Sequence, residues 1–414
     1  MAQLSIRLLR QGLSRHPPPP LWRDHELRDH YDVVIIGGGA HGLACAYYLA
    51  EQHGITDVAV LDKSYIGGGG SGRNTAIIRA NYLTPEGVRF YDASVKLYQS
   101  LAQELDFNVM FSQRGHVTLA HTDGAVRTMR RRAEVNRLEG VDSRLIWPDE
   151  LRRLCPHLDL SERPRYPILA ALYHPPGGII RHDAVVWGYA SQADRRGVQI
   201  HQGTEVVDIE VTNGAVSAVQ TNRGRIAAGT VLNVTAGWGS NVAAMAGVKL
   251  PLETFPLQAC VSEPLKPFLD VVIVSGSLHV YVSQSDRGEL VMGASVDPYP
   301  AYTLRSSLEF LEGISGHMLE LFPFLGNVRI LRQWGGLCEM PPDFSPLMGS
   351  TPIEGFLLDV GWGTYGFKAS PICGKMMAQM IATGETPDLI APFRLSRFEE
   401  FDLVGEKGAA SVGH

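Results

Sequence analysis

Tyr31 to Asp62 reads YDVVIIGGGAHGLACAYYLAEQHGITDVAVLD, and its interpretation decides the fold. Val33 to Ile36 is a short apolar run of the kind that forms a fully buried strand. Gly37, Gly39 and Gly42 follow as G-x-G-x-x-G, and Leu43 to Gln52 is a helix-like segment rich in Ala, Leu and Tyr. Val58 to Leu61 is a second apolar run, closed by Asp62. Together these form a βαβ unit. Gly37 allows the tight turn, Gly39 lets the backbone approach a pyrophosphate, and Gly42 lets helix and strand pack closely. The helix N-terminus offers free N–H groups and a partial positive charge to that pyrophosphate. Asp62, about 20 residues past Gly42, is placed to accept from a ribose hydroxyl. The glycine motif alone would also suit a turn with no ligand. The two flanking strands and the acid favour a dinucleotide, without separating FAD from NAD.

Composition frames this unit. A chain of 414 residues with 45% hydrophobic residues and 44 glycines suits an α/β protein of more than one domain. A net charge of −6 argues against nucleic acid as a partner. Cys45, Cys155, Cys260, Cys338 and Cys373 are scattered without metal-ligand spacing, which reads as buried thiols in a reducing, cytoplasmic compartment. No apolar run reaches the length of a membrane span, so neither membrane nor metal is expected. Met1 to Arg23 carries Arg7, Arg10, Arg15 and Arg23 and no acid, like a transit peptide, but His16 to Pro20 breaks any helix. Residues 1–30 are expected to be an extension packed on a partner or on the domain surface.

Working outward, Gly67 to Asn74 is a second glycine cluster, suited to phosphate or a ring system, or to a surface loop. Thr75 to Arg79 reads as a strand or buried loop, and Arg79 alone as a structural ion pair or a carboxylate clamp. Pro85 to Leu105 has helical periodicity, Val109 to Ala120 looks like a strand pair, and Gly124 to Glu139 is a helix whose Arg130, Arg131 and Arg132 suggest a solvated face. Pro164 to Pro176 suggests a crossing between domains. His182 and Asp183 open a helix over Ala184 to Arg195, and on position alone His182 reads as a hydrogen-bonded structural residue. Val198 to Val211, Val216 to Thr221, Arg225 to Ala228 and Thr230 to Thr235 read as successive strands. Leu250 to Arg329 turns to antiparallel alternation, with a helix over Thr303 to Leu319.

Phe356 to Val360 then returns to a buried strand, followed by the glycine loop Gly361 to Lys368 and a helix over Pro371 to Thr383. The nucleotide unit is therefore discontinuous: residues 31–84, 175–249 and 331–395. Residues 85–174 and 250–330 form a second, α+β substrate domain on a mostly antiparallel sheet, and 396–414 a tail without a readable signal. Two glycine loops at opposite ends suit an extended flavin dinucleotide better than NAD, which favours FAD in a Rossmann-like α/β fold.

VIIGGGAHGLACAYYLA, GGGGSGRNTAIIRANYL, GGIIRHDAVVWGYA and DVGWGTYGFKASP, in this order, resemble FAD-dependent amine oxidases of the D-amino-acid oxidase fold. The likeness is greatest to β subunits of heterotetrameric sarcosine oxidases. It implies that Gly37, Gly39, Ala40, His41 and Gly42 hold the FAD pyrophosphate and Asp62 the ribose, where relatives commonly carry Glu. It implies that Gly70, Ser71, Arg73, Asn74, Thr75 and Ile77 lie along the flavin, Val206 and Val207 at the adenosine, and Gly363, Gly366 and Lys368 at the ring. Arg79 and Lys368 match two cations that hold a substrate carboxylate in single-chain sarcosine oxidases. His182, in its RHDAV setting, matches a histidine that carries covalent FMN. In the single-chain enzymes a cysteine before a Pro-Asp pair attaches FAD. Here Gly336 stands at that spacing before Pro342-Asp343 and Cys338 is out of register, so non-covalent FAD is implied.

The resemblance implies sarcosine oxidation at FAD, with electrons passing to FMN and then oxygen. The implied products are peroxide and formaldehyde or 5,10-methylenetetrahydrofolate. It also implies α, γ and δ partner subunits, with tetrahydrofolate and NAD on a partner. Three alternatives stay open: a dehydrogenase subunit for proline, dimethylglycine or another secondary amino acid; a non-catalytic flavin-binding assembly subunit; and a nicotinamide dehydrogenase.

Overall fold

The structure is a computed structural model describing residues 10, 12–14 and 20–406. Much of the N-terminal extension, Arg7, Arg15 and His16 to Pro19 included, and residues 407–414 of the tail lie outside the described residues. Where the extension is described it packs on the domain surface: Arg23 Nε donates to Asp194 Oδ2 at 3.0 Å, and His25 Nε2 lies 2.7 Å from Asp194 Oδ1.

β1 (His30–Ile36) runs into α1 (Ala40–His53), and β2 (Val58–Asp62) returns parallel to β1 with Val33 opposite Val58. α1 shows no polar face because it is covered on both sides. α2 (Pro85–Glu104) starts at Thr84, whose hydroxyl accepts from the Gly87 amide. β3 (His116–Ala120), α3 (Asp123–Leu138) and β4 (Ala170–His174) follow, then α4 (His182–Arg195). β5 (Gln199–Gln202), β6 (Val206–Thr212), β7 (Ala215–Thr221) and β8 (Gly224–Asn233) come next. β9 (Glu253–Pro264), β10 (Val272–Ser275), β11 (Val280–Gln284), β12 (Glu289–Val296), α5 (Leu308–Leu321) and β13 (Ile330–Met340) precede β14 (Leu347–Ser350), β15 (Phe356–Val360) and α6 (Ser370–Thr383).

The first sheet has the order β14-β15-β8-β1-β2-β5, with β7 and β6 folded off β8. Its central pairs are parallel, and its strands come from three separated parts of the chain. The second sheet runs β13-β9-β12-β11-β10-β3-β4 and ends on Arg144–Ile146. It is antiparallel except where β10 pairs parallel with β3. This is the mixed α/β architecture expected. A third, two-stranded sheet joins Ile77–Ile78 to Gly178–Ile179. α1 and α6 approach at backbone distance: a Cβ on Gly374 would stand 2.4 Å from Ala44 Cβ. All five cysteines are buried and free, and no helix among the described residues is long and apolar enough to cross a membrane.

Several local expectations need correction. Only His116–Ala120 of the strand pair is a strand; Ser112 makes a single bridge to Ile179. The proline-rich stretch holds β4, because its AALYH core fills the gap between β3 and Arg144–Ile146. β8 is one continuous strand, and Gly355 approaches it closely at Gly229, where a Cβ on Gly355 would stand 2.3 Å from Gly229 O. The helix expected from Thr303 starts at Leu308, where the Ser307 hydroxyl accepts from Phe310 N. β13 went unrecognised, and it carries the second sheet beyond the division expected at residue 331. Arg132 is buried: its guanidinium donates to the Asn81 carbonyl, Nε at 2.6 Å, while Arg130 and Arg131 are exposed.

The tail is not featureless either. Arg397 is fully buried and bidentate on Asp343, at 2.8 and 2.9 Å, and Asp343 also accepts from Val404 N at 3.1 Å. Arg397→Met would leave Asp343 buried without its partner. Removing one member of a buried pair costs about 3–5 kcal/mol. Denaturant unfolding should show a loss of that size; an unchanged midpoint would contradict it.

Candidate active site

A cavity of about 530 Å³ lies between the carboxyl ends of β1, β2 and β8 and the inner face of the second sheet. Its lining brings together Gly37, Gly39, Ala40, His41, Asp62, Gly70, Ser71, Arg73, Asn74, Thr75, Ile77, Arg79, Val206, Gly363, Gly366 and Lys368. Gly42 sits beneath the lining, where a Cβ would stand 2.1 Å from Gly37 O. Val207 turns away and is 52% exposed, because neighbours in a strand face opposite sides. His182 is half-buried and outside the lining.

At one end the loop is held by its own side chains. Asp62 accepts from Gly38 N at 2.9 Å and Ser64 N at 2.8 Å, which leaves lone pairs over for a hydroxyl. Burial raises its pKa against those two hydrogen bonds. Ser71 Oγ takes Ala40 N at 2.9 Å, the first amide of α1. The second glycine cluster is a structured turn. Arg73 donates to the carbonyls of Gly68 and Gly69, Asn74 bonds Ser71 O, and Trp334 Nε1 on β13 reaches Arg73 O at 2.8 Å.

His41 ties this end to the C-terminal glycine loop. Its Nδ1 lies 2.9 Å from Asp359 Oδ2 and its Nε2 2.8 Å from Gly366 O. Both partners are acceptors, an arrangement that suits an imidazolium with both nitrogens donating. Burial opposes that charge, but Asp359 and the Gly366 carbonyl together outweigh it and raise the pKa. Trp362 Nε1 donates to Asp359 Oδ1 at 2.6 Å. Glu339 on β13 supports the same loop: its carboxylate accepts from Ser240 N at 2.8 Å and Gly361 N at 3.2 Å, and its carbonyl from Gly363 N at 2.8 Å.

Burial pushes Glu339 up to about 7, against those amides. An unfolded glutamate titrates near 4.3. Between these values the folded state binds more protons, so this group's stabilisation falls as pH rises from about 4.3 to about 7. Glu339→Gln should remove that slope. Thermal melts across this range should show the wild-type Tm falling relative to the variant; parallel curves would contradict the assignment.

The other end is cationic and walled by the second sheet. Arg79 and Lys368 are both buried. Arg79 Nη1 donates to Asn81 O and Asn81 Oδ1, each at 3.1 Å, and its guanidinium lies 4.4 Å from the Tyr82 ring centroid. Lys368 Nζ donates to Thr364 O at 3.2 Å. Burial, then the charge of Arg79, hold its pKa well below the ordinary lysine range, while Cys338 acts the other way. His116, Thr118, Val274, Tyr281 and Cys338 complete this wall. Sequence reasoning missed four of these and weighed Cys338 only as a point of flavin attachment. The alternation in HVTLA held a signal, since His116 and Thr118 share one face of β3 and Val117 and Leu119 face a separate core.

The residues fit an extended anionic dinucleotide. Backbone amides and a glycine cradle sit at one end, an acid stands at the ribose position, and a second glycine loop lies beside buried cations. The model of the family described as FAD dependent oxidoreductase matches residues 32–380. The chain belongs to that family. Sarcosine oxidase subunit beta of Arthrobacter sp is 45% identical to this FAD-dependent oxidoreductase over 397 residues, 96% of this chain and 98% of the relative. The protein of the same name from Rhizobium meliloti (strain 1021) is 48% identical over 389 residues, 94% and 93% of the two chains. Among solved structures, L-proline dehydrogenase from P. horikoshii superposes with a TM-score of 0.85 at 31% identity, covering 91% of this chain and 100% of that one.

Proposed function

We propose that this FAD-dependent oxidoreductase oxidises a small secondary amino acid, sarcosine foremost, as the β-type subunit of a multi-subunit sarcosine oxidase. The observation that carries the reading is the pair of buried cations, Arg79 and Lys368, in the wall of a cavity whose other end suits FAD. The names of the relatives from Arthrobacter and Rhizobium support the substrate and the subunit character. The cations hold the substrate carboxylate and thereby fix the N-methyl C–H bond in a reactive orientation. Their charge also disfavours an ammonium beside them, so the amine reacts as the neutral base. FAD, held by Gly37, Gly39, Ala40, His41, Asp62 and the loop at Gly363 and Gly366, supplies the hydride acceptor when bound. Loss of hydride and of the amine proton gives an imine, and water cleaves it to glycine and formaldehyde. Sarcosine turnover by the co-expressed complex should yield glycine and formaldehyde with one peroxide for each oxygen consumed. No glycine from sarcosine would contradict the reading.

We also propose that His182 is the attachment point of a covalent FMN, which would supply a route for electrons to oxygen when bound. The His182 ring meets Phe367 of the ring loop edge-on at 6.4 Å. Burial lowers its pKa, and a neutral imidazole has the lone pair a covalent bond requires. Acid precipitation of the complex should leave an FMN-sized mass on the His182 peptide, absent in His182→Ala, with FAD in the supernatant. Flavin found only as free FAD would contradict it. That outcome, with slow oxygen use, would favour a dehydrogenase for proline or dimethylglycine, a reading supported by the likeness to L-proline dehydrogenase.

A further inference from the structure

His116 and His174 stand directly opposite each other on β3 and β4. His174 is fully used: its Nδ1 lies 2.8 Å from Asp142 O, and its Nε2 accepts from Ala80 N at 3.1 Å. His116 is only 2% exposed, yet its Nδ1 has no hydrogen-bond partner among the described residues. A buried polar atom left unpartnered is costly, so its occurrence asks for an explanation. The side chain lines the cationic end of the cavity with Arg79 and Lys368. Gly177 leaves it room there, since a Cβ on Gly177 would stand 2.6 Å from His116 Cβ.

The cations of that wall are one-sided. Arg79, and Lys368 as the ammonium that pairs with a carboxylate, can only donate. Thr118 and Tyr281 add hydroxyls that can accept, but of the described lining residues only His116 holds a buried nitrogen without a partner. A substrate held by its carboxylate still needs an acceptor for its amine N–H. Burial, then Arg79, His174, Arg132 and Lys368, keep His116 neutral, so one ring nitrogen retains its lone pair. We propose that His116 contacts the substrate and accepts a hydrogen bond from its amino nitrogen, making it the residue that separates amino acids from other small carboxylates in this cavity. The inference rests on the amino-acid oxidation proposed above and assigns a recognition group within it.

The test uses the flavin-loaded, co-expressed complex under anaerobic stopped flow. The apparent Kd and limiting rate of flavin reduction are measured with sarcosine and with L-proline. The Kd of propionate, a carboxylate without an amine, is measured from the flavin spectrum. His116→Ala and His116→Phe should weaken binding of the amino acid that reduces the wild type by about tenfold or more, while propionate stays within about twofold. His116→Asn, which keeps an acceptor, should recover most of the loss. Equal changes for propionate and the amino acid, or no change for either, would overturn the proposal. A wild type that binds flavin but is reduced by neither amino acid would overturn the underlying reading and this proposal with it.

Discussion

Lys368→Met retains FAD but is reduced by sarcosine about 10²- to 10³-fold more slowly, the scale on which removing one electrostatic donor from a dry site acts. Methionine keeps the length and apolar contacts of the lysine stem and removes the charge. The site disfavours its charge: Nζ is buried beside Arg79, and among the described residues it donates to Thr364 O at 3.2 Å. The fold should therefore tolerate the loss, and an apolar group in its place should leave the melting temperature at or above that of wild type. The damage should fall on the substrate, whose carboxylate loses one of two cations and with it the alignment of the C–H bond. Single-turnover flavin reduction separates this from binding of the cofactor, whose spectrum and stoichiometry should be unchanged. A variant reduced at the wild-type rate would remove Lys368 from the clamp.

Gly42→Ala has the larger effect on the protein itself. The new Cβ would stand 2.1 Å from Gly37 O, 3.0 Å from Val234 Cγ2 and 3.1 Å from Ile35 Cγ2. The nearest atom is backbone, so no rotamer change relieves the contact, and α1 must move away from β1. Overpacking of this kind typically costs about 1–3 kcal/mol. Here it also displaces the α1 amides that face the cavity. The purified variant should carry little FAD and unfold at lower denaturant. Gly39→Ala makes the contrast. Its Cβ would meet only Ser71 Oγ, at 3.1 Å, and Gly39 lines the cavity, so that variant should fold normally while binding FAD more weakly. Normal FAD content in Gly42→Ala would show that the close packing beneath the loop is dispensable.

What could be read from the sequence was what local chemistry dictates. The first βαβ unit, the second glycine cluster and the strand–loop–helix around Gly363 each declare themselves within a few residues, and they sit on one cavity because the strands between them are parallel neighbours. β13 was illegible because ILRQWGGLCEM neither alternates nor avoids glycine; its pairing along β9, from Glu253 opposite Met340 to Ser262 opposite Ile330, makes it a strand. Arg132 looked like part of a charged surface because its two neighbours are. Its burial depends on the Asn81 carbonyl, 51 residues away. Glu406 in the tail was equally silent, yet it is buried and accepts from Leu83 N at 3.1 Å and Thr84 N at 2.9 Å at the start of α2. His116 was read only as part of a strand. An unpartnered nitrogen is a property of the assembled cavity and leaves no trace in the residues beside it.

The most direct test is an anaerobic titration of the FAD-loaded protein with sarcosine and, separately, with sarcosine amide. The amide has the same N-methyl amine but no carboxylate charge. Sarcosine should bleach the flavin band, and the amide should fail to do so at concentrations well beyond those that suffice for sarcosine. A flavin that no secondary amino acid bleaches, or one that the amide bleaches as readily as the acid, would contradict a site in which Arg79 and Lys368 hold a substrate carboxylate against FAD.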